Sequence, residues 1–120
     1  MSVHDWSHVL EEPLNPFFTR QAIHTERMTV ARLRLKKGAL VPSHSHMNEQ
    51  VTMLMEGELR FTVDGRQQTI CAGQVMEIPP NAVHSVEALT DSLAIDLFSP
   101  VREDWVRGDD AYLREARGTR

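Results

Sequence analysis

Residues 38–57 read GALVPSHSHMNEQVTMLMEG, and the prediction of the fold starts from this stretch. Short segments rich in valine, threonine and leucine stand between glycines and a proline, and His44 and His46 lie two positions apart. On an extended strand, side chains two apart project from the same face, which is the spacing that brings two imidazoles to one metal ion. The pair alone also fits ordinary polar positions, so the rest of the chain has to decide between the two interpretations.

The same pattern of short apolar segments runs outward from residue 17 to residue 98. Asp64-Gly65 is the dipeptide of a two-residue hairpin turn, and the prolines of IPPNA at 78–82 cannot donate to a β ladder. This pattern is typical of an antiparallel β sandwich or barrel. We predict strands at residues 17–24, 28–35, 44–46, 50–55, 58–63, 67–70, 75–78, 83–88 and 92–98. Only the tail from Pro100 has helical character, and Gly108 divides it.

Length, charge and cysteine content limit the class of protein. The 120 residues, 41% of them hydrophobic, suffice for one compact domain with a modest core. A net charge of −4 without a run of lysine or arginine gives no basis for a nucleic-acid or membrane partner. The single cysteine, Cys71, excludes an internal disulfide, and the start of the chain lacks a signal-peptide pattern. We therefore expect a soluble, cytoplasmic protein.

The predicted strand at residues 92–98 has two apolar faces. Leu93, Ile95 and Leu97 alternate with Ala94, Asp96 and Phe98, so both faces of the strand need cover. A second subunit, most simply in a twofold homodimer, would cover the outer face. The alternative is cover by the N-terminal segment WSHVLEEPLNPFF at residues 6–18.

A third histidine strengthens the metal interpretation. His84 follows the IPPNA loop, on a strand that can lie beside the first histidine pair in a β barrel. Three imidazoles and one oxygen donor make a site for a divalent transition metal with positions left open for a substrate. Glu49 and Gln50 are both candidates for the oxygen donor.

Two stretches resemble the two motifs of the cupin superfamily, in the small cupin_2 type. Residues 38–57 match the first motif, which has a glycine, HxH, a glutamate and a closing glycine, except that Gln50 stands where the motif has glutamate. Residues 73–88, GQVMEIPPNAVHSVEA, match the second. The resemblance implies an all-β double-stranded β-helix, or jelly-roll barrel, as a single domain over residues 1–120, with the barrel at about 17–100 and a short helical tail at 101–120. Asn81 replaces the glycine of the second motif and Ala88 its asparagine. Asn81 is a mild change because asparagine tolerates a left-handed backbone.

The register of the first motif favours Gln50 over Glu49 as the oxygen ligand, because six residues separate Gln50 from Gly57. The ligand set that the resemblance implies is therefore His44, His46, Gln50 and His84. Three neutral imidazoles and a neutral amide leave the charge of a divalent ion uncompensated, which favours Lewis-acid chemistry over oxygen chemistry. The ligands alone do not choose among nickel, manganese, iron, zinc and cobalt.

A second group of residues lies at the end of the last predicted strand, in DLFSPVRED at 96–104. Asp96 is a carboxylate within an apolar run, and a buried charge needs a metal, a cation or a function. Arg102 offers a cation. The two residues either pair and tie the tail to the barrel or belong to a substrate site.

The combination HxHxxxQ, a later histidine and D-x-F-x-x-x-R resembles the pectin-degradation cupins of the KdgF type. That family implies an isomerase that takes the ring form of a 4,5-unsaturated uronate, an anionic sugar acid, to its linear keto form. Carried over by position, Asp96 and Arg102 would be catalytic, and Phe98 and Arg102 would bind substrate. The alternatives are a cupin that binds a small ligand or metal without turnover and a cupin dioxygenase.

Overall fold

The computed structural model describes residues 1–114 and shows a β structure with a short helical tail. Within these residues there are ten strands: β1 (Glu12–Asn15), β2 (Phe18–His24), β3 (Thr29–Leu35), β4 (Leu40–His44), β5 (Glu49–Glu56), β6 (Glu58–Val63), β7 (Arg66–Cys71), β8 (Val75–Ile78), β9 (His84–Ala88) and β10 (Ser92–Ser99). A 3₁₀ turn at Trp6–His8 precedes them, and helices α1 (Glu103–Val106) and α2 (Ala111–Arg114) follow. The part of the predicted tail at 115–120 lies outside the described residues.

The strands form two facing antiparallel sheets. The larger sheet has the order β1-β2-β3-β10-β5-β8, and the smaller has the order β4-β9-β6-β7. Consecutive strands alternate between the sheets at several points, as in a jelly roll. The predicted all-β jelly-roll barrel with short C-terminal helices is confirmed.

The turns follow the backbone preferences that the sequence indicates. Asp64 and Gly65 both have positive φ angles, 47° and 82°, and join β6 to β7 as a tight hairpin. Asn81, in the position of the motif glycine, has a φ of 65°. Asparagine is among the few residues with a side chain that adopt this left-handed conformation readily, so the replacement leaves the loop before β9 intact.

Two strands differ from the prediction by more than a residue at either end. β1 was not predicted, because its four residues include Pro13 and are too short to show an alternating pattern. β4 ends at His44, so His44 and His46 do not share one strand as the spacing argument assumed. A register irregularity between Val41 and His44, beside Pro42, shifts the pairing of β4 with β9, which resumes between His44 and His84.

The core lies between the two sheets and is filled by alternate residues of each strand. On β10, Ala94, Asp96 and Phe98 point inward and are at most 5% exposed. The outward residues of the same strand are half-buried. The N-terminal segment lies on this outer side of the sheet, where the side-chain amide of Gln21 donates to the carbonyls of Trp6 and Val9.

The tail folds back across one end of the barrel. Trp105 of α1 and Leu113 of α2 are buried against the core. A buried ion pair of 2.8 Å between Arg20 of β2 and Asp110 holds the turn before α2. Neither helix in residues 1–114 is long and apolar enough to cross a bilayer.

Candidate active site

Three histidines converge at the end of the barrel that the tail covers. His44 is the last residue of β4, and it pairs with His84, the first residue of β9. His46 lies in the turn that leads to β5. Their candidate ligand nitrogens all lie within 4.8 Å of one another. The structure therefore brings together the three histidines that the sequence selected, although from three different elements.

The second nitrogen of each ring fixes how the histidines point. Each Nδ1 lies 2.8 to 3.0 Å from a backbone carbonyl two residues away, that of Pro42 for His44, Asn48 for His46 and Ala82 for His84. A carbonyl only accepts, so each Nδ1 carries the proton and each Nε2 keeps a lone pair. Histidines that bind metals are commonly oriented through the other ring nitrogen in this way.

The histidines are held neutral. Burial lowers the pKa of His44 and of His46 to about 4, and it also lowers the pKa of His84. The Nε2 atom of His84 is buried without a hydrogen-bond partner among the described residues. Neutral imidazoles with free Nε2 lone pairs are the form that binds a divalent ion.

Gln50 completes this group, whereas Glu49 is exposed. The side-chain oxygen of Gln50 lies 3.1 Å from Nε2 of His46. The side-chain nitrogen of Gln50 donates to Thr52 at 3.0 Å and to Asp96 at 3.3 Å. Because Nδ1 of His46 is the protonated nitrogen, two lone pairs face each other across the 3.1 Å gap. A cation between them would remove this repulsion, so the donor set fits a metal, with His44, His46, His84 and Gln50 as its holders.

Asp96 lies beside Gln50 at the centre of the barrel. Its Oδ2 atom accepts from the Gln50 amide, and its buried Oδ1 atom has no partner among the described residues. Burial raises the pKa of Asp96 to about 7, although a hydrogen bond from Thr52 and the charge of Arg102 lower it in part. The carboxyl group can therefore hold or release a proton near neutral pH.

Arg102 is 1% exposed and lies over two aromatic rings. Its guanidinium carbon is 4.7 Å from the centre of the Phe98 ring and 4.4 Å from that of Trp105. Its ion-pair partner within residues 1–114 is Asp104, not Asp96, and a contact with Tyr112 completes its surroundings. The expected alternative of an Asp96–Arg102 pair that ties the tail to the barrel is therefore not what the structure shows.

Sequence reasoning missed three residues of this site: Thr52, Asp104 and Tyr112. Thr52 follows Gln50 by two positions on β5, so the period of a strand was enough to place it on the same face. Tyr112 carried no such signal. Its ring packs 4.6 Å from that of His44 only because the turn at Gly108 folds α2 back over the barrel.

A cavity of about 50 Å³ connects these groups to the barrel interior. Its polar half is lined by His44, Gln50, Thr52, His84, Asp96 and Arg102. Its apolar half is lined by Leu33, Leu35, Val41, Leu59, Phe61 and Val86, among others. Phe98, Trp105, Tyr112 and Leu113 close the polar end.

The chain belongs to the cupin family, since the model of the cupin domain matches residues 31–99. No curated protein sequence matches the chain significantly. Among solved structures, an RmlC-like cupin from Shewanella frigidimarina is 28% identical with a TM-score of 0.81, and the match covers 88% of this chain and 96% of that one.

KdgF from a Halomonas species is similar to the same degree, at 26% identity and a TM-score of 0.81, over 88% of this chain and 98% of that one. An oxalate decarboxylase of Bacillus subtilis, a protein with Mn(II) centres, has a TM-score of 0.73 at 19% identity, over 85% of this chain and 31% of that one. The latter likeness concerns the fold alone. Family and site together define a cupin with a three-histidine site suited to a divalent metal.

Proposed function

We propose that this protein is a metal-dependent isomerase that converts the ring form of a 4,5-unsaturated uronate into its linear keto form. The observation that carries the proposal is the polar half of the cavity, which Asp96, Arg102 and two of the histidines line together. The similarity to KdgF supports the assignment of substrate class.

The metal would be held by His44, His46, His84 and Gln50. When bound, it supplies a Lewis acid that polarises the oxygens of the sugar. Nickel, manganese, iron, zinc and cobalt all suit three imidazoles and an amide oxygen, and their availability decides among them.

Arg102 and Phe98 would bind the anionic sugar acid. A guanidinium pairs with a carboxylate through two parallel hydrogen bonds, which fixes the orientation of the ring as well as its position. The ring of Phe98 lies against the guanidinium and shields it from water, so the ion pair with the substrate is stronger than it would be at the surface.

Asp96 would move the proton. In the reaction, the C1 hydroxyl gives its proton to the Asp96 carboxylate as the bond from C1 to the ring oxygen breaks, which leaves an aldehyde at C1 and the ring oxygen on C5 as an enolate. Asp96 then delivers that proton to C4, which gives the C5 ketone, so the reaction is an isomerisation without an oxidant. A buried carboxyl group that faces the cavity is placed for these transfers.

The test is the loss of ultraviolet absorbance of a 4,5-unsaturated galacturonate in the presence of the purified protein. We expect the wild type and His4→Ala to act alike, because His4 is exposed and far from the site in sequence. His46→Ala should lose both the metal, measured by elemental analysis, and the activity. A wild-type protein no faster than His46→Ala would refute the proposal.

The same experiment separates the alternatives. Binding of a uronate without turnover would identify a non-catalytic cupin, whereas oxygen consumption with an iron-loaded protein would identify a dioxygenase. A protein that can be loaded with none of the five metals would rule out the ligand set.

We further infer a cytoplasmic homodimer. Two outward residues of β10, Ile95 and Leu97, stand in register with Met53 and Val51 of β5, so half-buried apolar side chains continue across two strands. A second copy of the chain would cover them. Ile95→Glu should give a monomer by light scattering, and a wild-type monomer at micromolar concentration would contradict the dimer.

A further inference from the structure

The guanidinium of Arg102 has two edges that can hold a carboxylate, and the protein uses one of them itself. Nε and Nη2 donate to the two oxygens of Asp104, at 3.0 and 2.8 Å. The other edge is formed by Nη1 and Nη2. Asp104 therefore leaves a single edge on which a substrate carboxylate can form two hydrogen bonds.

Tyr112 stands on that remaining edge. Nη2 of Arg102 donates to the Tyr112 hydroxyl at 2.5 Å, while the Tyr112 ring packs on His44. The tyrosine thus touches both the residue that would bind the carboxylate and a residue that would hold the metal. An anionic ligand cannot use Arg102 with two hydrogen bonds until this hydroxyl leaves.

The wall of the cavity also includes the tail. Tyr112 and Leu113 of α2 form part of the wall, so a displacement of α2 enlarges the space at the polar end.

The attachment of α2 is suited to opening. Asp110, just before the helix, pairs with Arg20, and both side chains are 4% exposed. Two nitrogens of Arg20, Nε and Nη1, are buried without a hydrogen-bond partner in residues 1–114, although the guanidinium lies over the Trp105 ring at 4.5 Å. Buried ion pairs give little net stabilisation, and less when donors stay unpaired.

We propose that residues 109–114 form a lid, which Asp110 and Arg20 latch, and that Tyr112 occupies the substrate-carboxylate edge of Arg102 until an anionic sugar acid displaces it. Tyr112 thereby competes with the substrate carboxylate for Arg102, and the carboxylate displaces it because two charge-assisted hydrogen bonds replace one hydrogen bond to a neutral hydroxyl. The inference rests on the proposed function for the nature of the ligand.

The first experiment measures the binding of galacturonate, with neutral galactose as comparison, by calorimetry. Tyr112→Phe keeps the ring on His44 and removes the hydroxyl from Arg102, so galacturonate should bind roughly threefold to tenfold more tightly than to the wild type. The affinity for galactose should not change. Equal or weaker binding of galacturonate by Tyr112→Phe, including no binding by either protein, overturns the role of Tyr112.

The second experiment tests the latch by hydrogen exchange and needs no ligand. The amides of Leu113 and Arg114 bond to the carbonyl of Asp110, and they report on the lid. In Asp110→Asn, they should exchange roughly tenfold faster than in the wild type, while those of β10 stay unchanged. Asp109→Asn is the matched control, because Asp109 is exposed and its side chain contacts only Arg107 among the described residues. Equal exchange in Asp110→Asn and Asp109→Asn overturns the latch.

The binding of galacturonate and the turnover of the unsaturated uronate together distinguish the proposed lid from the proposed reaction. A protein that binds galacturonate in the expected pattern but leaves the unsaturated uronate unchanged loses the isomerase function and keeps the lid. A protein that turns over the uronate, with Tyr112→Phe unchanged in galacturonate affinity, keeps the function and loses the lid.

Discussion

The two halves of the cavity share several strands, and on those strands they differ by the position along the strand. On β5 the inward residues run from Gln50 and Thr52 to Leu54, and on β9 they run from His84 to Val86 and Ala88. Because side chains alternate between the two faces of a strand, every second residue faces inward. The distance of such a residue from the end of the strand then determines whether it lines the polar or the apolar half.

The difference separates stability from chemistry. The apolar half buries hydrocarbon surface and so contributes free energy to the folding of the barrel. The polar half contains two atoms without a hydrogen-bond partner in residues 1–114, Oδ1 of Asp96 and Nε2 of His84, and they lower the stability of the metal-free protein. Substitutions in the two halves should therefore have opposite signatures.

The largest effect is expected from Asp96→Asn on turnover. The amide cannot take up or deliver the proton, so kcat should fall by about a thousandfold, equivalent to about 4 kcal/mol in the barrier. Uronate absorbance measures it. Glu77→Gln, an exposed change on β8, is the control and should leave kcat unaltered. A loss below tenfold for Asp96→Asn would mean that another group moves the proton.

Phe61→Ala should give the opposite signature in the apolar half. Phe61 is 2% exposed, and its truncation should lower the free energy of unfolding by about 3 to 5 kcal/mol. Urea unfolding measures the loss, and the folded variant should still take up one equivalent of metal. Phe61→Leu, which keeps most of the volume, should lose less than half as much. If Phe61→Ala lost metal binding but kept its free energy of unfolding, the assignment of stability to the apolar half and of chemistry to the polar half would be wrong.

The pH dependence of the free energy of unfolding should give a second test of Asp96, through its raised pKa. Its pKa is about 7 in the folded protein and lies near the ordinary value of 3.8 when unfolded. Between these values the folded state holds a proton that the unfolded state has lost, so the contribution of Asp96 to stability falls as pH rises from 4 to 7. The free energy of unfolding of metal-free Asp96→Asn, relative to that of the metal-free wild type, should therefore rise by about 2 to 4 kcal/mol between pH 4 and pH 8.

The measurement is urea unfolding of both metal-free proteins at the two pH values. Comparison of the two proteins cancels the titration of the histidines, which both share. A difference in stability that is the same at pH 4 and pH 8 would contradict the raised pKa of Asp96.

The smallest effect is expected from Thr52→Val, which keeps the shape of the side chain. The Gln50 amide then loses an acceptor that orients its oxygen toward the histidines. Metal affinity should fall roughly tenfold, or about 1.4 kcal/mol, as for other residues that orient a ligand. A competition assay with a chelating dye measures it. Thr69→Val on the exposed strand β7 should leave the affinity unchanged.

The sequence was sufficient for the fold and for the choice of histidines, because both depend on local patterns. Apolar alternation and the Asp64-Gly65 turn predicted the strands, and the two motifs selected His44, His46 and His84. The assumption that His44 and His46 share a strand was wrong, since β4, whose register shifts beside Pro42, ends at His44. The rings still converge, because the turn carries His46 back toward β9.

The surroundings of Arg102 could not be predicted. Its pairing with Asp104 depends on the start of α1, and its contact with Tyr112 depends on how α2 folds over the barrel. Neither follows from periodicity, because both helices span only four residues each. Contacts between such short elements are set by tertiary packing rather than by a pattern in the chain.

The position of Trp105 gives the tail an intrinsic optical reporter. Its ring lies within 4.5 Å of the guanidinium carbons of both Arg20 and Arg102, and the chain has one other tryptophan, Trp6. Indole emission responds to nearby charge, so any movement of either cation alters its colour and intensity. With Trp6→Phe, the remaining emission would follow the tail in real time in a stopped-flow instrument, without an attached dye.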